Sequence, residues 1–226
     1  MITYNSPKYN NLKENILKIL EINNIDTFDS EASIPQSVFD SITLEVQNCV
    51  FSADKFLSAN CPKCGNVHLK LFCSSYARNI IFKINNILIK VKLVVPRVIC
   101  ENCGSTHAIL PDFCVPMKQY SKDAIIEIVA QAHSSSTEET ANSLDIDPKQ
   151  VRRFVNLVKS FSHNIDLLIH ILQLKINVLE NALEQLYYLL KQLPNITEIY
   201  FMHFKTIFLH EKNQRYLYIE YAKLST

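Results

Sequence analysis

The segments Cys61-Pro62-Lys63-Cys64-Gly65 and Cys100-Glu101-Asn102-Cys103-Gly104 decide the reading of this chain. Both are Cys-x-x-Cys pairs followed at once by glycine, and these two glycines are the only ones among 226 residues. A loop that turns two thiolates toward one ion needs inward-facing amides and often a residue at positive φ. Glycine adopts that conformation without a Cβ clash. Two such knuckles supply four thiolates, the ligand set of a closed tetrahedral structural zinc site. The expected ligands are Cys61, Cys64, Cys100 and Cys103, holding one structural Zn2+.

Working outward, the residues between the knuckles read as strands. Arg78 to Ile84 and Ile87 to Val95 are rich in β-branched residues and are separated by Asn85-Asn86. Asparagine tolerates positive φ, so this pair suits a two-residue hairpin turn. The second strand leads to Cys100, and two knuckles joined by a hairpin make a zinc ribbon. His68 and His107 each follow a knuckle within four residues. With four cysteines available, they are expected beside the site or on the surface and not as ligands. Cys49, Cys73 and Cys114 are expected to be buried small apolar residues. A thioredoxin-like redox role is disfavoured, because such motifs occur once, after a strand and at the start of a helix.

After Pro116 the pattern becomes helical. Ser121 can cap a helix running to about His133, and Ser136 with Glu139 forms a capping box for the next. A short turn, Asp145-Ile146, leads to Asp147 as the third cap, with Pro148 at the first helical position. Two helices joined by a short turn, the second amphipathic and basic, are the pattern of a helix-turn-helix. Asp145 stands where glycine is commonest, and aspartate tolerates the left-handed region better than most residues. The third helix offers Lys149, Gln150, Arg152, Arg153, Asn156 and Lys159, and no acid lies between Pro148 and Ser160. Arg and Lys neutralise phosphates, and Gln, Asn and Arg hydrogen-bond to base edges. These six residues are the expected contacts to double-stranded DNA.

Charge is distributed accordingly. The net charge of the chain is +1, yet residues 61–160 carry thirteen Lys or Arg against eight Asp or Glu. No basic stretch followed by an apolar run opens the sequence, so no signal peptide is expected. Charges interrupt the apolar stretch over 165–193, which argues against a membrane span. Seven cysteines, four in metal spacing, fit a reducing cytoplasm better than a disulfide framework. A cytoplasmic, nucleoid-associated protein is therefore expected.

The remaining chain is less specific. Leu12, Ile16, Ile19 and Leu20 lie at helical spacing, and residues 38–51 can hold a second short helix. A long helix over 165–193 is apolar on much of its surface and is expected to be buried, within the chain or in a homodimer. Residues 199–209 and 215–221 read as a C-terminal strand pair. The expected class is α+β, with a helical segment over 1–57, a zinc ribbon over 58–116 and a helix-turn-helix over 117–161. A long helix and β-hairpin are expected over 162–226.

A ribbon followed by a helix-turn-helix resembles the N-terminal, DNA-reading half of bacterial transposases. The segment Cys100-Glu-Asn-Cys-Gly-Ser-Thr-His-Ala-Ile-Leu-Pro-Asp-Phe113, with Val115-Pro116 and Tyr120-Ser121, is narrower. It resembles an uncharacterised transposase-associated zinc-binding domain family of Firmicutes. The resemblance implies zinc binding and association with mobile elements. Arg215-Tyr216-Leu217-Tyr218-Ile219 also resembles the second strand of an RNase H-like transposase domain. The expected first aspartate is missing from Met202-His203-Phe204, and the sequence stops before further acids of that set could occur. Two-metal phosphoryl transfer needs clustered carboxylates. The sequence therefore reads as a non-enzymatic, zinc-dependent, sequence-reading DNA-binding protein. The alternative is a zinc-ribbon platform for a separately encoded protein, docking through the aromatic tail that includes Tyr200, Phe204 and Phe208.

Overall fold

Residues 2–4, 11–23, 34–84, 86–173, 196–204, 208–209 and 217–219 are described by a computed structural model of the chain. The fold mixes helices with small sheets. It divides into one unit of residues 1–120 with 213–226, and a second of residues 121–212.

The first unit contains strand β1 (Ile2–Tyr4), helices α1 (Leu12–Ile22) and α2 (Gln36–Gln47), and a 3-10 turn (Ala53–Phe56). Strands β2 (Leu69–Leu71), β3 (Tyr76–Ile84), β4 (Ile87–Val95), β5 (Arg97–Cys100) and β6 (Thr106–Pro111) follow. The β3–β4 register runs from Tyr76↔Val95 to Ile84↔Ile87, so two residues close the hairpin. Alternation puts Ile80, Phe82, Ile84, Ile89, Val91, Leu93 and Val95 on one buried face.

Helices cover that face. Leu12, Ile16 and Leu20 of α1 and Val38, Ile42 and Val46 of α2 recur every four residues and share its core. Each such buried aliphatic side chain contributes about 1.5–3 kcal/mol. Gln47 ties α2 to strand β4: its Nε2 donates to Val94 O at 3.2 Å, and Val94 N donates to its Oε1 at 2.9 Å.

The structure therefore corrects one expectation. The long hairpin between the knuckles is a separate two-stranded sheet, with its own core against the N-terminal helices. The knuckles belong to another sheet, of order β2-β5-β6-β1-β7, where β7 is Leu217–Ile219. In it β2, β5 and β6 run antiparallel, and β1 lies parallel to both β6 and β7.

The second unit contains α3 (Lys122–Ser134), α4 (Thr137–Ser143), α5 (Pro148–Ser160), α6 (Ser162–Ile171) and α7 (Ile196–Phe204). Ile125, Val129, Ala141, Leu144, Val151, Phe154 and Val158 are buried among α3, α4 and α5.

Two expectations fail here. Among the described residues the expected C-terminal strand pair is not formed: residues 196–204 are helical, and Leu217–Ile219 pairs with β1. Aromatic content suggested strands, but helical spacing stacks Tyr200 against Phe204, with ring centroids 4.6 Å apart. Tyr200 also packs on Phe161 and Phe208, at 5.9 and 5.3 Å, and its hydroxyl accepts from Asn164. Burial here overrides β-propensity. With Tyr200 and Phe208 buried, neither is open to dock a partner. The helix expected over 165–193 also stops early in its described part. Helix α6 ends at Ile171 and Gln173 has φ +50°, while residues 174–195 lie outside the described residues. The expected dimer surface falls mostly on that span.

Candidate metal centre and nucleic-acid interface

Each knuckle is built by the same two backbone bonds. Gly65 N donates to Cys61 O at 2.8 Å, and Cys61 N to Asn66 O at 2.7 Å. In the second knuckle Gly104 N donates to Cys100 O, and Cys100 N to Ser105 O, both at 2.9 Å. Gly65 and Gly104 have φ of +76° and +66°. A Cβ would meet nothing within 4 Å at either, so the left-handed backbone alone demands glycine.

The four cysteine sulfurs lie within 4.8 Å of one another. Cys61 and Cys103 sulfurs are 3.7 Å apart, and those of Cys64 and Cys100 are 3.6 Å apart. A tetrahedron with metal–sulfur bonds of about 2.3 Å has edges of about 3.8 Å, whereas a disulfide would need about 2.0 Å. No cysteine is disulfide-bonded. The cluster thus fits a tetrahedral ion that takes four thiolates.

Local donors favour ionisation of two of the four thiols, Cys103 and Cys64, whereas the Cys100 thiol is raised to about 11. Hydrogen bonds from Ser105, through its side chain and then its backbone, lower the Cys103 thiol to about 6. The Cys64 thiol is lowered by the backbone amide of Asn66 and by Asn102, whose Nδ2 is 3.6 Å from the sulfur. The knuckles are also joined to each other: Glu101 N donates to His68 O at 3.1 Å, and Lys70 forms an ion pair with Glu101.

His107 is buried on β6, with Nε2 3.2 Å from Cys61 Sγ. Burial, then the charges of the N-terminus and Lys63, push its pKa down to about 4, so the ring is neutral at pH 7. A proton on Nε2 would be donated to the Cys61 thiolate. His68 is exposed. Of the three remaining cysteines, Cys49 and Cys114 are buried but Cys73 is exposed, against expectation.

The helical unit presents a different surface. Ser136 Oγ accepts from Glu139 N and donates to Glu139 Oε2, both at 3.1 Å, so Ser136 caps α4 and Glu139 answers through the hydroxyl, a side-chain form of the expected capping box. Helix α4 ends with Ile146 N donating to Ala141 O at 3.0 Å and Asp145 N to Asn142 O at 3.4 Å. This is the paired-bond Schellman ending, with Asp145 at φ +49° in the place of glycine. Asp147 Oδ1 accepts from Lys149 N at 2.8 Å, and Pro148 opens α5.

Val151, Phe154, Leu157 and Val158 turn α5 inward, leaving Lys149, Arg152, Arg153, Asn156 and Lys159 exposed along one stripe. Gln150 is half-buried on the flank of the helix, on the side of Leu157. Arg152 is ion-paired with Glu138 of α4 at 2.5 Å, a partner that the basic run of α5 alone does not reveal.

Most of these elements fall in one matched segment. Residues 61–154 match the family described as a domain of unknown function, DUF6431. The DUF6431 match takes in both knuckles, the β3–β4 hairpin, α3, α4 and the first half of α5. No curated protein and no solved structure matches the chain. Among the described residues, no helix is long and apolar enough to cross a membrane.

Proposed function

We propose that this protein is a zinc-stabilised reader of double-stranded DNA that acts by binding and not by catalysis. In this reading the four cysteines form a zinc-ribbon-like element, and α4 and α5 form a helix-turn-helix. The observation that carries it is the exposed stripe of α5. Four cations and Asn156 share one face, the helix has no acid, and its N-terminus is anchored by a tight turn and two caps. That is the arrangement with which a second helix enters the major groove.

In this reading Lys149, Arg153 and Lys159 neutralise phosphates, and Asn156 reads a base edge. The half-buried Gln150 has a smaller part. Zinc contributes folding energy to a small sheet. The resemblance of residues 100–121 to a transposase-associated family extends the proposal to mobile-element DNA, bound as a dimer at paired half-sites.

The test is fluorescence anisotropy of a labelled AT-rich duplex at about 50 and 200 mM salt, with wild type beside Lys149→Ala/Arg153→Ala. Salt-sensitive binding that the double variant loses is expected. Unchanged binding by the variant would remove α5 from the interface. A second reading, a platform for a partner protein, draws on exposed Val67 and Leu71 beside the first knuckle, Leu71 lying on the edge strand β2. It predicts no duplex binding by well-folded, zinc-loaded protein.

A further inference from the structure

From Lys55 to Cys100 the sequence contains eight Lys or Arg and no Asp or Glu. The hairpin lies inside this acid-free run. Its inner face is filled by the helices, and the strict alternation of β3 and β4 sends the remaining residues outward. The cross-strand pairs on that outer side are Ala77↔Val94, Asn79↔Lys92, Ile81↔Lys90 and Lys83↔Leu88. Lys90, Lys92 and Asn79 are exposed, and so is Val94.

We propose that the outer face of the β3–β4 hairpin is a second DNA-backbone contact, gripping phosphates through Lys90 and Lys92. This inference rests on the DNA-binding reading above but uses a different surface. Lys90 and Lys92 stand two residues apart on one strand face, about 7 Å from each other, so each can meet a different phosphate. Asn79, directly across from Lys92, adds a neutral donor of the kind that also bonds phosphate oxygens. Lysines on an exposed sheet face also discourage edge pairing and aid solubility. Solubility is served by either sign, however, and ordinary surfaces mix signs. A face whose charges are all positive, within 46 residues free of acids, is complementary to a polyanion. Two-stranded ribbons are among the elements that fit a DNA groove. The contacts carry no sequence information, because a lysine on a phosphate positions without specifying.

The experiment compares wild type, Lys90→Ala/Lys92→Ala and Lys149→Ala/Arg153→Ala as zinc-loaded full chains. Each is titrated against the same labelled duplex and an unrelated one between about 50 and 200 mM salt. Loss of two phosphate contacts should flatten the slope of log K against log salt by about 1.8, so the hairpin variant's affinity falls about 12-fold less across this range. The weakening should be equal on both duplexes, whereas Asn156→Ala, titrated alongside, should lose discrimination between them. Lys90 and Lys92 are both exposed, and unchanged circular dichroism and zinc content would confirm an intact fold.

An unchanged slope in the hairpin variant, with the α5 variant impaired, overturns this inference and leaves the helix reading standing. Loss in the hairpin variant alone overturns the helix reading and keeps this one. No binding by wild type overturns both. Lysine-dependent sedimentation with phosphatidylserine vesicles, with DNA binding unaffected in the hairpin variant, overturns it in favour of a membrane surface.

Discussion

Arg152 on the open face of α5 already holds Glu138 of α4, with its Nη2 2.5 Å from the carboxylate Oε1. The same hydrogen bond keeps the Glu138 carboxyl below its ordinary range. Both side chains are exposed, so solvent screens the pair and it adds little to stability. In the proposed DNA-bound state the acid would act more as a competitor for the arginine than as a structural tie.

Glu138→Gln should release Arg152 toward phosphate. Duplex affinity is expected to rise about 3- to 10-fold and the salt slope to steepen by about 1. Thermal stability should shift little. Equal affinity and slope in the variant would mean that Arg152 touches no DNA.

Metal removal should separate the two sheets of the first unit. Atomic emission should find one zinc per chain, and Cys100→Ser should abolish it, because this buried cysteine ends β5 and supplies one of the four clustered thiols. On chelation, amide-exchange protection should fall in β2 and β5 while β3 and β4 keep theirs. The hairpin core against α1 and α2 contains none of the four metal-spaced cysteines. Simultaneous loss in both sheets would show that the metal supports the hairpin as well.

His107→Ala should weaken zinc binding about 10- to 100-fold while leaving one ion per chain. Its Nε2 is within hydrogen-bond reach of the Cys61 sulfur, so it tunes a ligand without being one. The visible spectrum of the cobalt-substituted protein should still report four thiolates in the variant. A spectrum with fewer would mean that His107 helps assemble the ligand set itself.

Asp145 occupies a left-handed position in the turn before α5. Asp145→Gly should stabilise the helical unit by about 0.5–1 kcal/mol, since a Cβ is disfavoured there, and Asp145→Val should cost about 1–2 kcal/mol. Urea denaturation of both variants checks the signs. A glycine variant less stable than wild type would show that the Asp145 side chain makes a compensating bond.

Much of the local structure was legible because the deciding interactions are short. The positive φ of Gly65 and Gly104, the Ser136–Glu139 box and the Asp147-Pro148 start all act within five residues of chain. The hairpin strands were placed to within two residues, since alternation and the paired asparagines mark them directly. The C-terminal segment misled for the opposite reason. Tyr200, Phe204 and Phe208 suit a strand by composition, and only burial of Tyr200 against Phe161 decides for a helix. Gln150 and Asn156 both look outward in a list of polar residues, yet helical phase puts Gln150 on the flank.

The sequence by itself determined the two knuckles, their four cysteines, the hairpin and the caps that frame α4 and α5. Turn dihedrals and capping bonds are chosen by neighbouring residues and need no distant partner. The tertiary structure decided what covers each apolar face and which charges remain open. It placed α1 and α2 on the hairpin, moved the knuckles to a separate sheet, seated His107 beside Cys61 and paired Arg152 with Glu138. Apolar burial is non-directional and sums over the whole unit, and an ion pair fourteen residues apart in the chain exists only once two helices have packed.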